Sequence, residues 1–289
     1  MDRETKAELR LVVQNIHVNK RVERALLDLV DTLALDTGVI DISESMVLFD
    51  DFKQSAVADD SWANQWLSFD GGGTSAASAA IVLAPEGKVN LVSGTAGTAG
   101  VADATVMSAL TLTHGQLVSL GEIVFEARVS TSHITGATLC VGLSDKIADD
   151  SAEAVLHTVK ADVIADDGLT VDDALSFCQD SEATNVTNWY CTSENGGTIA
   201  HAAAAFDCLL ATGKPTVNTY QMLKIVVNAK GDAMYYIDGV LLFTELTAVA
   251  TTAVLVPYIA ATAEDGTPVS TTLSVDLIRF TQARPSSNA

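Results

Sequence analysis

The chain has 289 residues, with 37 Asp and Glu against 16 Lys and Arg, a formal net charge of −21 and a pI near 4.3. Hydrophobic residues make up 48% and mean hydropathy is +0.28, so the chain is too apolar for a disordered segment and too acidic for a protein that must displace counterions from phosphates. No uninterrupted apolar run reaches the roughly 18 residues of a membrane-spanning helix, and the start Asp2-Arg3-Glu4 does not read as a secretory signal, so neither nucleic acid nor membrane is expected as a partner.

From Glu4 to about Leu35 no Gly or Pro interrupts the chain, and apolar residues recur at helical spacing. Steps of three and four trace a seam through Leu9, Val12, Ile16, Asn19, Glu23, Leu26, Val30 and Leu33, a heptad pattern with two polar interruptions. The spacing predicts a long N-terminal α-helix within residues 1–36, roughly 45 Å long for about 30 residues, ended by Gly38. Such a helix cannot bury its stripe alone. Leu9, Val12, Ile16, Leu26, Val30 and Leu33 are therefore candidate oligomerisation or attachment residues, to be covered by the chain's own domain, by copies of itself or by a partner. Charge divides at the same place. Residues 1–36 carry six basic and seven acidic side chains, and residues 37–289 carry 10 and 30. A helical arm over 1–36 and a β domain over 37–289 are expected.

Beyond Gly38 the period changes to two. Val82-Leu83, the turn Ala84-Pro85-Glu86-Gly87 and Val89 to Val92 read as a hairpin. Ile123, Phe125, Ala127 and Val129 form one row, with Glu122, Glu126 and Arg128 opposite. Leu139, Val141 and Leu143 repeat the pattern, strands follow at Leu175 to Gln179 and Trp189 to Thr192, and Leu223, Ile225 and Val227 alternate again. Tyr235 to Ile237, Asp238-Gly239 and Val240 to Phe243 make a tight hairpin. Val254 to Ile259 and Leu273 to Phe280 close the series. Many short strands with polar turns indicate an antiparallel sandwich.

Motifs that carry chemistry are scarce. The loops 71–80, 93–104 and 196–205 are rich in Gly, Ala, Ser and Thr but lack the phosphate-loop pattern and any Lys or Arg. The five histidines, His17, His114, His133, His157 and His201, include no H-E-x-x-H pair, and there is no G-x-S-x-G elbow. Cys140, Cys178, Cys191 and Cys208 form no C-x-x-C pair. Cys178 and Cys191 lie in two expected strands, so a cross-strand disulfide and a set of buried thiols are both compatible with the pattern.

Several fragments then fall into a recognisable order. They are Leu48-Phe49-Asp50-Asp51-Phe52, the Trp62 and Trp66 region, Phe125-Glu126-Ala127-Arg128-Val129, Val141-Gly142-Leu143-Ser144-Asp145, Tyr220 to Val227, and Tyr235 to Leu241. Together they resemble the concanavalin/laminin-G-like jelly-roll domain, particularly as found in virion structural proteins of tailed bacteriophages. The resemblance covers about residues 45–283. It implies a mainly β fold, an antiparallel jelly-roll β-sandwich, here preceded by the long N-terminal α-helix. It further implies a non-enzymatic virion structural protein, a capsid decoration, cement or head-fibre protein on the capsid surface, made in the host cytoplasm. Its partners would be the major capsid protein and copies of itself, as a homotrimer. A carbohydrate-binding, lectin-like module for host-surface adsorption, or a tail or fibre component, is the alternative.

The same resemblance sharpens the site question. Glycosidases of this fold carry an E-x-D-x-x-E strand that places two carboxylates on one face. Glu122 and Glu126 lack the middle Asp, so no catalytic residue is assigned. Trp62, Trp66 and Trp189 are candidates for a sugar-stacking surface, with core packing as the competing role. Asp149-Asp150, Asp166-Asp167 and Asp172-Asp173 are the acidic pairs at which a calcium ion would bind, but none reads D-x-[DN]-x-[DN]-G. No metal ligand and no cofactor is assigned.

Overall fold

The computed structural model describes residues 45–50, 66–70, 80–84, 87–93, 107–112, 115–145, 157–160, 163–165, 171–199, 206–207, 215–263 and 270–283. The chain separates into two units, Met1–Ser45 and Met46–Ala289; apart from Ser45, the described residues belong to the second. The expected helix over 1–36, with Leu9, Val12, Ile16, Leu26, Val30 and Leu33, and the boundary after residue 36 lie outside the described residues.

The strands are β1 (Ser45–Asp50), β2 (Trp66–Asp70), β3 (Ala80–Ala84), β4 (Lys88–Val92), β5 (Met107–Leu112), β6 (Gln116–Leu117), β7 (Ile123–Thr131), β8 (Ala137–Ser144), β9 (Thr158–Lys160) and β10 (Val163–Ala165). They continue with β11 (Ala174–Asp180), β12 (Tyr190–Asn195), β13 (Thr198–Ile199), β14 (Phe206–Asp207), β15 (Gln221–Val227), β16 (Ala233–Ile237), β17 (Val240–Glu245), β18 (Val254–Ala263) and β19 (Thr272–Ala283). Among the described residues, no helix is long and apolar enough to cross a membrane.

Two antiparallel sheets make a sandwich. The eight-stranded sheet runs β17-β16-β15-β7-β19-β4-β3, with β1 also paired to β19. The nine-stranded sheet runs β13-β12-β11-β8-β18-β5-β2, with β14 on β12 and β6 on β18. Consecutive strands repeatedly change sheet, at β1 to β2, β2 to β3, β4 to β5, β6 to β7, β7 to β8, β14 to β15, β17 to β18 and β18 to β19. This interleaving places β7 between β15 and β19, and β8 between β11 and β18, which is the connectivity of a jelly roll.

The period-two reading holds where one sheet face meets the core and the other meets water. On β7, Ile123, Phe125, Ala127 and Val129 are buried, Val124 and Glu126 are half-buried, and Arg128 is exposed. Its neighbour β15 pairs Phe125 with Ile225 and Ala127 with Leu223, so the buried rows stay aligned. The hairpin β16–β17 turns at Asp238 and Gly239, with φ of 50° and 81°, the positive angles that a two-residue hairpin loop needs. Glu122 lies one residue before β7 and is exposed. Glu126 is held by Lys224 at 3.3 Å and Arg279 at 3.2 Å. The two carboxylates thus have different surroundings, and Glu126 is committed to two cations.

The core between the sheets is built from the inward rows of both. Phe177 stands edge-on to Tyr235, with centroids 5.4 Å apart, and edge-on to Trp189 at 6.4 Å. Two hydrogen bonds join the sheets through this cluster. The Tyr235 hydroxyl donates to the Thr192 carbonyl at 2.7 Å, and Trp189 Nε1 donates to Gln221 Oε1 at 3.1 Å. Each ring thereby buries its apolar body while its polar atom is satisfied.

Strands β8 and β11 depart from the one-faced pattern, because every residue of both is buried. A second layer covers their outer side. The cross-strand register also decides the cysteine question. Cys178 pairs with Tyr190, while Cys191 pairs with Phe177. The offset of one residue sends Cys178 and Cys191 to opposite faces of the sheet, so the Cys178–Cys191 disulfide does not form, and both are thiols. Cys208 lies outside the described residues.

Candidate functional site

The outer face of the nine-stranded sheet is where the described residues gather their polar and nucleophilic side chains. It presents Cys140 and Gly142 from β8, Ser176, Cys178 and Asp180 from β11, Tyr190, Thr192 and Glu194 from β12, and Tyr258 and Ala260 from β18. Gly142 permits the close approach of its neighbour strand, since a Cβ there would overlap the Leu175 carbonyl and the Ser176 backbone. Above the face lies a strap made of His157 and the β9–β10 hairpin. His157, Val159 and Ile164 on it are all buried, and Val159 and Ile164 pack with Val171, Cys140, Cys178, Tyr190 and Tyr258. This second, smaller core explains why β8 and β11 have no wet side.

Polar contacts fasten the strap at three points. The Val159 amide donates to Asp180 Oδ2 at 2.6 Å. The His157 carbonyl accepts from Cys140 Sγ at 3.4 Å and from Cys178 Sγ at 3.1 Å. The His157 ring enters a chain of polar groups: Ser176 Oγ lies 2.6 Å from Thr192 Oγ1, Thr192 Oγ1 lies 3.0 Å from His157 Nδ1, and His157 Nε2 lies 3.4 Å from Glu194 Oε2. In a hydrolase an imidazole oriented by a carboxylate takes and returns the proton of a neighbouring hydroxyl; here His157 Nε2 and Glu194 Oε2 approach without a hydrogen bond. Here every member of the chain is solvent-excluded, at 0% for Ser176 and His157, 1% for Thr192 and 3% for Glu194. The strap occupies the space from which a substrate would reach Thr192. The arrangement is a latch in this conformation.

At one end of this face Asp145, Asp172 and Asp173 come together. The Asp172 amide donates to Asp145 Oδ2 at 3.3 Å, and Asp173 Oδ1 accepts from the Ala250 amide. Burial raises the Asp145 pKa above the ordinary carboxylate value; hydrogen bonds from Asp173 and Asp172 oppose the shift, and repulsion by the same two carboxylates adds to it. A raised folded-state pKa means that the native state holds the proton more tightly than the unfolded chain. Stability from this group is therefore fully present below the ordinary Asp value, about 3.9, and is lost as pH rises from there through the raised folded-state value. Asp145→Asn is expected to raise the melting temperature at pH 7 by an increment worth less than about 1 kcal/mol, because the group is partly solvated, and to give no gain at pH 3. Parallel thermal melts of the two proteins at both pH values check this; an equal gain at pH 3 would point to a cause other than charge.

The sequence-derived candidates distribute as follows. Trp189 is 1% exposed and lies in the inter-sheet core, so it offers no ring face to a sugar, and its fixed hydrogen bond to Gln221 explains the placement. Trp66 opens β2, and Trp62 lies outside the described residues. Of the acidic pairs, Asp172-Asp173 sits at the Asp145 cluster, while Asp149-Asp150 and Asp166-Asp167 lie outside the described residues. No group of three or more His, Cys, Asp or Glu that could hold a metal ion occurs among the described residues. His133 is exposed beside Ser132, and His17, His114 and His201 lie outside. The strap and its His157–Glu194 contact had no motif to announce them, since the partners stand far apart in sequence and belong to types that usually face water.

These features define a two-sheet jelly-roll sandwich of the concanavalin-like type, and solved structures of that fold resemble the chain. Similar structures include the β-glucanase of Bacillus licheniformis (TM-score 0.54, 10% identity, covering 85% of this chain and 99% of that one) and the carbohydrate recognition domain of Emp47p (TM-score 0.53, 11% identity, covering 84% and 99%). A third is a prokaryotic β-1,3-1,4-glucanase (lichenase) derived from a mouse hindgut metagenome (TM-score 0.51, 10% identity, covering 81% and 98%). At these identities the likeness establishes the fold, which enzymes and carbohydrate recognition domains share. No family model matches the chain, and no curated protein matches it in sequence.

Proposed function

We propose that the chain is a non-enzymatic structural protein that works through protein–protein contacts, and that it is a component of a phage virion, a capsid decoration, cement or head-fibre protein. The observation that carries the non-enzymatic part is the filled outer face of the nine-stranded sheet. A sugar-processing or sugar-reading sheet face needs an open cleft with paired carboxylates or an aromatic platform. In this chain the strap covers the part of that face built by β12, β11, β8 and β18, Tyr190 and Tyr258 are buried beneath it, and Trp189 is in the core.

The virion assignment rests on the resemblance of the strand motifs to tailed-phage structural proteins, together with the charge layout. A nearly neutral arm suited to attachment through Leu9, Val12, Ile16, Leu26, Val30 and Leu33 precedes an acidic body. Many acidic bodies on one particle repel one another and keep particles dispersed. Contacts to the major capsid protein and within a homotrimer stabilise the shell by mass action. A carbohydrate-binding role is the second reading, favoured by the fold likeness to the Emp47p carbohydrate recognition domain. Its platform would have to include Trp62 or Trp66 and lie away from the strapped face.

Purified full-length protein is expected to be oligomeric by light scattering and to co-sediment with capsid shells. Deletion of residues 1–36 is expected to abolish both while the far-UV circular dichroism of the sandwich persists. A monomeric protein with no affinity for any shell would overturn the virion reading. Glycan-array binding lost in Trp62→Ala or Trp66→Ala would establish the second reading in its place, and turnover on a polysaccharide panel would overturn the non-enzymatic part.

A further inference from the structure

The strapped face holds a dithiol that the proposed function does not use. Cys140 and Cys178 are direct cross-strand partners in the register of β8 and β11. Both lie on the strap side of the sheet, both are fully buried, and both are thiols. Directly opposed residues of an antiparallel pair have Cα atoms about 4.5 or 5.5 Å apart, and either spacing falls in the range of about 4.4–6.8 Å that a disulfide bridges. The two Sγ atoms also converge on one acceptor, the His157 carbonyl at the start of the strap. The same two sulfurs that are placed to bond each other are thus the donors that hold the strap.

We propose that Cys140 and Cys178 form a redox-responsive pair whose oxidation to a disulfide, by a small disulfide such as oxidised glutathione, loosens the 157–165 strap and uncovers the sheet face beneath it. One cysteine thiolate attacks the small disulfide, giving a mixed disulfide and one small thiol, and the second cysteine then displaces the other small thiol. The S–S bond of the oxidant and two cysteine S–H bonds are replaced by the Cys140–Cys178 bond and two S–H bonds on the small thiols. Two electrons and two protons pass to the oxidant. The His157 carbonyl then loses both thiol donors, and a buried acceptor deprived of donors disfavours the docked strap. The coupling is reciprocal. A docked strap shields the dithiol from oxidant, whereas a lifted strap exposes it, so oxidation traps the open form. Cys191 takes no part, because it faces the inter-sheet core opposite Phe177.

The test uses the full-length chain in oxidised glutathione, with peptide mapping under non-reducing conditions and amide hydrogen exchange across 157–165. The expected result is a Cys140–Cys178 cross-linked peptide and strap exchange about tenfold faster, the factor corresponding to loss of about one net hydrogen bond. The double variant Cys140→Ser, Cys178→Ser keeps two donors for the His157 carbonyl and is expected not to respond to oxidant. Ile164→Ala, which trims the buried strap contact, is expected to speed cross-linking at least about thirtyfold, the low end of the cost of emptying a buried isoleucine site. Cross-linking with unchanged strap exchange would overturn the proposal. So would a dithiol that stays reduced in both the native protein and Ile164→Ala, or a response to oxidant that persists in the double serine variant.

Discussion

Phe177→Ala is expected to lower the unfolding free energy by about 3–5 kcal/mol, the range for emptying a buried aromatic site. Phe177 is fully buried at the centre of the nine-stranded sheet, in register with Val141 on β8 and Cys191 on β12. Its ring is the common neighbour of Trp189 and Tyr235, and those two rings carry two of the hydrogen bonds that tie one sheet to the other. Alanine leaves a cavity whose walls cannot collapse without bending one of those bonds. The residue also lies between Ser176 and Cys178, which face the strap, so relaxation on the inner face tilts the latch on the outer one. Urea unfolding followed by tryptophan fluorescence measures the effect as a fall in midpoint at unchanged slope. Phe177→Leu, which refills most of the volume, should lose less than half as much. A loss under about 1 kcal/mol for the alanine variant, the usual scale of surface changes, would mean that the ring is not the inter-sheet keystone.

How much of this was legible in the sequence depends on which side of a strand faces water. The rows on β7, β15 and β16 announced themselves because apolar and polar residues alternate, and the Asp238-Gly239 turn reports its own geometry. On β8, β11 and β12 the strands were legible but their outer faces were not. Ser176, Thr192 and Glu194 are residue types that normally meet solvent, and only the strap, which adjoins none of them in sequence, makes them interior. The strap itself comprises two three-residue strands, too short for any periodicity to register. The choice between a Cys178–Cys191 disulfide and buried thiols turned on a shift of one residue in register, which spacing along the chain does not encode. The choice between the sugar-platform and core roles of Trp189 stayed open in the sequence for a related reason: its place between sheets follows from the pairing of β12 with β11, and an aromatic residue at a strand end reads the same on either face. The jelly-roll class was legible without settling these points because it depends on the number and alternation of strands rather than on any one face.

Asp180→Ala should open the strap before it unfolds the sandwich. Asp180 is 1% exposed at the end of β11. Its Oδ2 accepts from the Val159 amide at 2.6 Å and its Oδ1 from the Glu182 amide at 2.7 Å. Removing the carboxylate leaves two donors without these acceptors, at about 1–3 kcal/mol for each that stays buried. The Glu182 amide lies in the half-buried turn after β11 and can be rehydrated there, whereas the Val159 amide is enclosed. The expected loss is therefore about 1–3 kcal/mol, concentrated in strap docking. Because, among the described residues, β9 and β10 form a separate two-stranded sheet, lifting them breaks no described ladder of the two main sheets, so the strap can open as a local unit. Amide exchange at Val159 should accelerate at least tenfold, by roughly the factor of a lost net hydrogen bond, while exchange on β7 and β15 changes far less. Asp180→Asn retains one acceptor oxygen and should fall between the variant and the native protein. Unchanged exchange at Val159 in Asp180→Ala would remove the carboxylate from the latch. A uniform acceleration over both sheets would instead make the strap part of the global fold, with no separately openable face beneath it.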